Sequence, residues 1–485
     1  MRQQLETNRW LILVIACLAQ FMVVLDATIV NVALPSIQRG LHFSPANLAW
    51  VVNGYTLIFG GFLMLGGRAA DLLGRRRLFV AGVVLFSLAS LLNGFAQSPL
   101  MLVVGRGLQG LGGALVSPAA LSIIMTTFRD QGERTKALGV WSGIAAGGAA
   151  FGLLLGGVLT DLVSWRWIFF VNVPVGAMAT TLALRYVPES RAELGHRSFD
   201  LGGATTVTAG LVTLVFGIVK AQTWGWGAPR TLAVLLAGVA LLAAFVVIEL
   251  RSGAPLIRLS IFRVRTIATA NLVMLLVASG MFGMFFFASL YVQDILGYSP
   301  LRAGFAFLPV TGGIIIGAAL AQQLIGRIGV RNVAVAGTSL AAVGLVLLTR
   351  VPVHGTYVSD LLIGLLPLAI GMGLTFVPVT LLGTSGVSAD DSGLASGLFN
   401  TAQQVGGSLG LAILATLSAS QTSSLLHSGH AALAVQLAAR VSGYHVAFAA
   451  AAIMLGSGAV LLSVLLRRRH LESLVIDPST LAVAA

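Results

Sequence analysis

The chain has 485 residues, 57% of them hydrophobic and only 9% charged, whereas soluble globular domains carry roughly 25% charged residues. Lipid is therefore its solvent, and a soluble enzyme or binding module is excluded as its class. A formal net charge of +13 raises nucleic-acid binding as a question of where the charge sits, while the single Cys17 leaves no disulfide framework, thiol pair or metal-ligand spacing.

About 20 apolar residues are needed to cross the hydrocarbon. Read in chain order on that measure, spans are predicted at 10–34, 48–66, 79–96, 99–126, 137–159, 167–187, 201–220, 231–250, 266–292, 301–325, 332–350, 359–383, 393–418 and 444–466. The first is too long for a signal-peptide core, carries Asp26 and lacks a small-residue cleavage site, so it is expected to stay as a spanning helix. An even number of spans puts both termini on one side. With the N-terminus in the cytoplasm, about 21 of the 29 Lys and Arg fall on the inner side and about 7 outside, as the positive-inside rule requires. Arg129, Arg134, Lys136 and Arg467, Arg468 and Arg469 belong to the inner clusters. The basic excess is thus topological, and no nucleic acid partner is expected.

Two hydrophilic joints, 188–200 and 251–265, bracket a pair of helices with little polar content. The division predicts an N-terminal six-helix bundle over 1–190, two linker transmembrane helices over 191–262, and a C-terminal six-helix bundle with a short cytoplasmic tail over 263–485. Gly74-Arg75-Arg76 after span two is echoed by Gly329-Val330-Arg331 after span ten, a decayed internal repeat. Gly107-Leu108-Gln109-Gly110 with Gly112 and Gly113 lies inside an apolar span with no strand before it, so it is no dinucleotide fingerprint. No paired carboxylates, Ser-His-Asp set or histidine cluster suggests an enzyme, and no cofactor is expected beyond protons as a coupling ion.

Asp26 lies about 24 Å along the first span from Trp10, and Arg106 comes out at similar depth on span four. An acid within the membrane costs about 2.5–3.5 kcal/mol, so it needs a partner, a proton or a water-filled cavity. One reading is a structural ion pair that fixes helix packing. The other is a proton site facing a central cavity, where burial favours the neutral acid, the guanidinium favours the anion, and a small rearrangement switches between them. Asp294, Asp390 and Asp391 are weaker proton candidates, and His445 reads as an interfacial residue.

Three further groups stand out. Gly67, Arg68, Asp71, Gly74, Arg75, Arg76 and Arg77 make a tight inner loop in which glycines permit turns and arginines anchor to headgroups. In span five, Gly139, Gly143 and Gly147 recur every four residues, followed by Gly152, Gly156 and Gly157, and such spacing lets another helix approach closely. Asn31, Trp50, Asn53, Tyr55, Gln109, Phe286, Phe287, Asn400, Gln403 and Gln404 are candidates for lining a cavity, or for packing between helices.

Leu25-Asp26-Ala27-Thr28-Ile29-Val30-Asn31-Val32-Ala33-Leu34-Pro35, the Gly67 to Arg77 loop, Arg106 with Gln109-Gly110, and Ser164-Trp165-Arg166-Trp167 before Asn172-Val173-Pro174 together resemble the fourteen-helix drug:proton antiporters of the major facilitator superfamily. Trp224-Gly225-Trp226-Gly227, Tyr291-Val292-Gln293, Gly297-Tyr298-Ser299-Pro300 and Gly393-Leu394-Ala395-Ser396-Gly397 extend the likeness over nearly the whole chain. The resemblance implies an all-α integral membrane protein of two six-helix bundles with two extra helices between them. It implies proton-coupled efflux of lipophilic, cationic drugs or antibiotics from a bacterium, across the inner membrane and with both termini cytoplasmic. Small lipophilic molecules and membrane lipids are then the partners, with no obligatory protein partner. It also implies that Asp26 and Arg106 couple to protons, that Gly67, Asp71, Gly74, Arg75 and Arg76 latch the bundles, and that Gly143, Gly147, Gly152, Gly156 and Gly157 form the antiporter helix. The chain departs from the family at Leu153, where a proline usually follows the glycine; its absence removes a kink and restores a backbone donor. Export of an endogenous lipid, a siderophore or a self-made antibiotic, or a non-transporting sensor in the same fold, fits the same residues.

Overall fold

The computed structural model describes residues 2–128, 130–191, 200–253, 255–385, 392–426 and 432–466. Arg129, Asp390, Asp391 and Arg467, Arg468 and Arg469 lie outside the described residues. Among those described, the long helices are α1 (Arg2–Leu41), α2 (Trp50–Leu73), α3 (Arg75–Gly94), α4 (Pro99–Thr127), α5 (Gln131–Leu162), α6 (Asn172–Tyr186), α7 (Leu201–Trp224) and α8 (Pro229–Arg251). The second half continues with α9 (Arg265–Leu290), α10 (Leu308–Ile328), α11 (Val330–Leu348), α12 (Ile363–Thr384), α13 (Ser392–Leu425) and α14 (Leu433–Leu465). Thirteen helical segments are long and apolar enough to cross a membrane. The remaining helix, α13, has 34 residues; its length suffices, and its Ser, Thr and Gln content dilutes the apolar signal.

Local chemistry sets the helix ends. Ser98 Oγ accepts from Met101 N at 3.3 Å with Pro99 in the first turn of α4, and Asp130 Oδ1 accepts from Glu133 N at 3.0 Å to start α5. The turns between α2 and α3 and between α10 and α11 each pivot on a left-handed glycine, Gly74 at φ 118° and Gly329 at φ 83°. The two glycines that the sequence pairs as a repeat therefore build the same joint in both halves.

Helices α1–α6 pack into one bundle and α9–α14 into another. The extra hairpin, α7 with α8, has a specific seat. Helix α7 lies against α2 and α13, where Leu57, Leu211, Val215, Val219 and Ala412 form an apolar cluster. A Cβ on Gly61 would collide with Thr208, and Thr416 Oγ1 donates to Ile218 O at 3.3 Å. One lateral seam between the bundles is thus sealed by α7, while α8 turns most of its apolar surface outward, away from the other helices.

Candidate functional site

Asp26 and Arg106 meet, as their depths predict. Asp26 Oδ2 accepts from Arg106 Nη1, and Asp26 Oδ1 accepts from Gln109 Nε2 at 2.6 Å and from Asn172 Nδ2 at 3.0 Å. Arg106 also donates through Nε to Val51 O at 3.0 Å and through Nη1 to Gln109 Oε1 at 2.8 Å. Ser90 Oγ accepts from both amides and donates to Phe169 O, and Asn93 Nδ2 donates to Gln109 Oε1 at 2.8 Å. The guanidinium lies 4.4 Å above the Tyr55 ring, a cation–π contact. Ser90, Asn93 and Asn172 are members of this cluster that the sequence reading misses, although polar residues three apart in the otherwise apolar α3 are a readable signal.

The cluster corrects one expectation. Asp26 is 0% exposed and does not face the central cavity. Its neighbours Ala27 and Thr28 do, because each step along a helix turns the side chain by roughly 100°. Arg106 and Tyr55 stand between the acid and the cavity, and both line it. Tyr55 Oη is buried without a hydrogen-bond partner.

The cavity measures about 1080 Å³, just above the roughly 300–1,000 Å³ of small-molecule pockets. Aromatic faces from Phe59, Trp141, Phe282 and Phe285 and amides from Gln20 and Asn400 line it. Of the predicted lining residues, Asn31, Tyr55, Asn400, Gln403 and Gln404 are on it. Trp50, Asn53, Gln109, Phe286 and Phe287 are not. Gln109 belongs to the ion-pair cluster, and Asn53 is fully buried elsewhere with both polar atoms unpartnered. Rotations of one and two residues separate Phe285 on the cavity from Phe286 and Phe287, and Phe287 packs into the second bundle against Tyr444 and Phe448.

The cavity runs to one side of the protein, where Gly67, Arg68, Asp71, Asp200 and Arg258 line its mouth. That side carries the predicted inner loops. Asp71 Oδ1 accepts from Arg75 Nη2 at 2.8 Å and Nε at 3.2 Å, within its own bundle, so this pair does not bridge the bundles as a closed latch in this conformation. Arg76 donates to Val187 O at 3.3 Å. Glu189, unnoticed in the sequence, accepts from the backbone N–H groups of Arg76 and Arg77 at 3.2 Å each; it caps α3 with a carboxylate, which suits a helix N-terminus.

The opposite side is closed. Pro35 has no N–H, which leaves the Asn31 carbonyl without its usual partner four residues on. That carbonyl accepts from Ser289 Oγ of the other bundle at 2.6 Å, and Val32 O accepts from Gln293 Nε2 at 2.8 Å. Asp294 bridges Arg39 of α1 at 3.5 Å and Arg440 of α14 at 3.7 Å. Helix α5 adds to the seal where a Cβ on Gly157 would lie 2.7 Å from Pro300 O, and one on Gly304 would lie 2.7 Å from Leu153 O.

The glycine stripe of α5 needs a change of register. A Cβ at Gly139, Gly143 or Gly147 would meet no atom within 4 Å, so these three face no helix. The close approach to α1 is made by Gly148, Gly152 and Gly156, against Val24, Thr28 and Ile29. The two sets share four-residue spacing and differ by about a quarter turn or more. Helix α5 runs unbroken through Leu153, as expected without a proline.

The chain matches the family model described as Major Facilitator Superfamily over residues 16–411. It is 41% identical to the puromycin resistance protein pur8 of Streptomyces alboniger, covering 96% of this chain and 92% of that one. It is 40% identical to the cephamycin export protein CmcT of Amycolatopsis lactamdurans, with 85% of each covered. The multidrug resistance protein Stp of Mycobacterium tuberculosis is 36% identical over 87% of this chain and 78% of its own. Among solved structures, a bacterial homologue of the human lysosomal transporter Spinster, inward-facing and unoccupied, superposes with a TM-score of 0.64 at 16% identity, covering 94% and 97%.

Proposed function

The chain belongs to the major facilitator superfamily, and from that premise we propose that it exports lipophilic drugs or antibiotics from a bacterial cytoplasm by alternating access, in exchange for protons. One observation supports this reading above the others: an aromatic and amide-lined cavity of about 1080 Å³, open on one side and sealed on the other by bonds between the two bundles. In this reading the open side, which carries the basic excess, is cytoplasmic, with both termini there. The protein thus rests inward-open in the bacterial inner membrane, ready to load from the cytoplasm or inner leaflet. Relatives named for puromycin resistance and cephamycin export favour antibiotics over endogenous lipids as cargo.

Asp26 supplies the proton coupling in this reading. Inward-open, it accepts three hydrogen bonds and pairs with Arg106, partners that suit a carboxylate. Reorganisation of the bundles loosens the pair and exposes the acid to the outer, acidic side, where it takes a proton and resets the carrier. Each pH unit is worth about 1.4 kcal/mol per proton, or tenfold in cargo gradient. One monovalent cation exchanged for one proton is electroneutral, whereas a neutral cargo gains about 2.3 kcal/mol per 100 mV besides. In a host without its own pumps, expression lowers the steady-state accumulation of lipophilic antibiotics, and a protonophore abolishes the difference. Equal accumulation with and without the protein removes the export reading.

The outer closure gives a second expected result. Removing two donors of the outer closure, Ser289→Ala with Gln293→Ala, takes away two hydrogen bonds worth about 1 kcal/mol each. The outward-open population should rise roughly thirtyfold. The native thiol, Cys17, is buried, so a cysteine placed at Asn31 reports the change as faster labelling by a membrane-impermeant maleimide added outside. Unchanged labelling shows that these bonds do not hold the outer side shut.

A further inference from the structure

Away from the Asp26 cluster, two acids converge where the extra hairpin meets the cavity mouth. Asp200 precedes α7 and is 8% exposed; Glu249 lies near the end of α8 and is 4% exposed. Each uses one oxygen structurally. Asp200 Oδ1 accepts from Gly203 N at 2.6 Å, and Glu249 Oε2 accepts from Ile257 N at 3.0 Å, tying down the strand of chain that leads to α9. The other oxygens, Asp200 Oδ2 and Glu249 Oε1, are buried and have no hydrogen-bond partner.

Both bare oxygens point into one small space. A Cβ on Gly203 would sit 2.6 Å from Glu249 Oε1 and 3.0 Å from Asp200 Oδ2, so the glycine keeps that space open and any side chain would fill it. Ionised carboxylates only accept hydrogen bonds, so two of them in one buried space repel and leave lone pairs unsatisfied. A single proton held by the pair removes the repulsion and turns one acceptor into a donor facing the other carboxylate. Solvent reaches the pair through Asp200, which lines the cavity.

Among the described residues, the charged groups around the pair are few. Arg258 of the same connecting segment lines the cavity mouth, and Arg68 and Asp71 of α2 line it across the opening. Arg251 ends α8 and is exposed. Helix α13, which also packs on α7, carries no charged residue along Ser392–Leu425.

We propose that Asp200 and Glu249 form a second proton-binding site at the inner mouth of the cavity, holding one shared proton between Asp200 Oδ2 and Glu249 Oε1 in exchange with cavity water. The site is separate from the Asp26 cluster and stands whether or not export is proton-driven. Its proton comes from and returns to water, with no other bond made or broken.

Infrared difference spectroscopy on the reconstituted full chain tests this. At neutral pH the wild type should show the carbonyl stretch of a protonated carboxyl, sensitive to deuterium exchange and lost as one proton on alkalinisation. Asp200→Asn and Glu249→Gln should each abolish that band, while Asp26→Asn leaves it in place. Both amides keep the existing backbone bond and donate an N–H to the remaining carboxylate, so both variants fold; an alkaline melting temperature at or above the wild type's verifies it. The proposal is overturned if the wild type shows no such band, or if it survives both substitutions. A melting temperature raised by sodium, potassium or magnesium with no carboxyl band overturns it too, by making the occupant a metal ion.

Discussion

Replacing Asp26 with Asn should leave a protein that inserts in the membrane and no longer couples export to a pH gradient, its pH-driven flux falling to that of empty vesicles. The amide keeps an acceptor for the donors around it and cannot exchange a proton. It also leaves the Arg106 guanidinium buried without its counter-charge, a loss that in buried pairs costs about 3–5 kcal/mol. A lower melting temperature is therefore expected alongside lost coupling, and a purely structural ion pair would give the same two symptoms. The double variant Asp26→Asn with Arg106→Gln separates the cases, because it removes both charges together. If the pair only braces helices, the double variant recovers stability and pH-driven transport. If Asp26 carries the proton, it recovers stability and cargo binding while pH-driven transport stays at background.

The second large effect falls on the contact between α1 and α5. Gly156→Val forces a branched side chain where even a Cβ would lie 2.7 Å from the Ile29 carbonyl oxygen, and backbone atoms in the middle of a helix have little room to yield. Overpacking of this kind costs about 1–3 kcal/mol, enough to depress the yield of monodisperse protein and the melting temperature, and to stop transport. At Gly143 or Gly147 a Cβ meets no atom within 4 Å, which leaves room for valine, and valine gains helix propensity over glycine, so those variants should match the wild type. Equal damage at Gly143 and Gly156 would contradict the register seen in the structure. Melting curves and transport rates for the three variants, measured side by side, decide it.

That register marks where the sequence stops being informative. Composition, span length and the asymmetry of Lys and Arg are one-dimensional signals, and the helix order, the paired glycine joints at Gly74 and Gly329 and the meeting of Asp26 with Arg106 all follow from them. Facing is a rotational property. Glycines every four residues occur twice in α5, and only the partner helix shows that Gly148, Gly152 and Gly156 are the ones in contact. The same ambiguity puts Phe286 and Phe287 on the cavity in place of Phe285, and turns Asp26 toward water when its neighbour Ala27 faces it. Partnering across long separations is equally hidden. Neither Glu189 capping α3 nor Ser289 reaching the carbonyl freed by Pro35 has any trace in local spacing, nor does the seating of α7 in the seam between α2 and α13.

The bond pattern around Asp26 fits a carrier that loads cargo from the cytoplasm with its acid ionised and paired. In the proposed cycle the neutral acid belongs to the outward-open form, which the bonds from Ser289 and Gln293 oppose. Proteoliposomes holding oriented protein and a fluorescent lipophilic cation test this coupling most directly, with one pH unit imposed, acidic on the outer face. The account predicts movement of cargo toward the acidic side to about a tenfold gradient for one-to-one exchange, collapsing when a protonophore is added. Cargo that moves at the same rate and to the same level with and without the pH gradient would contradict it.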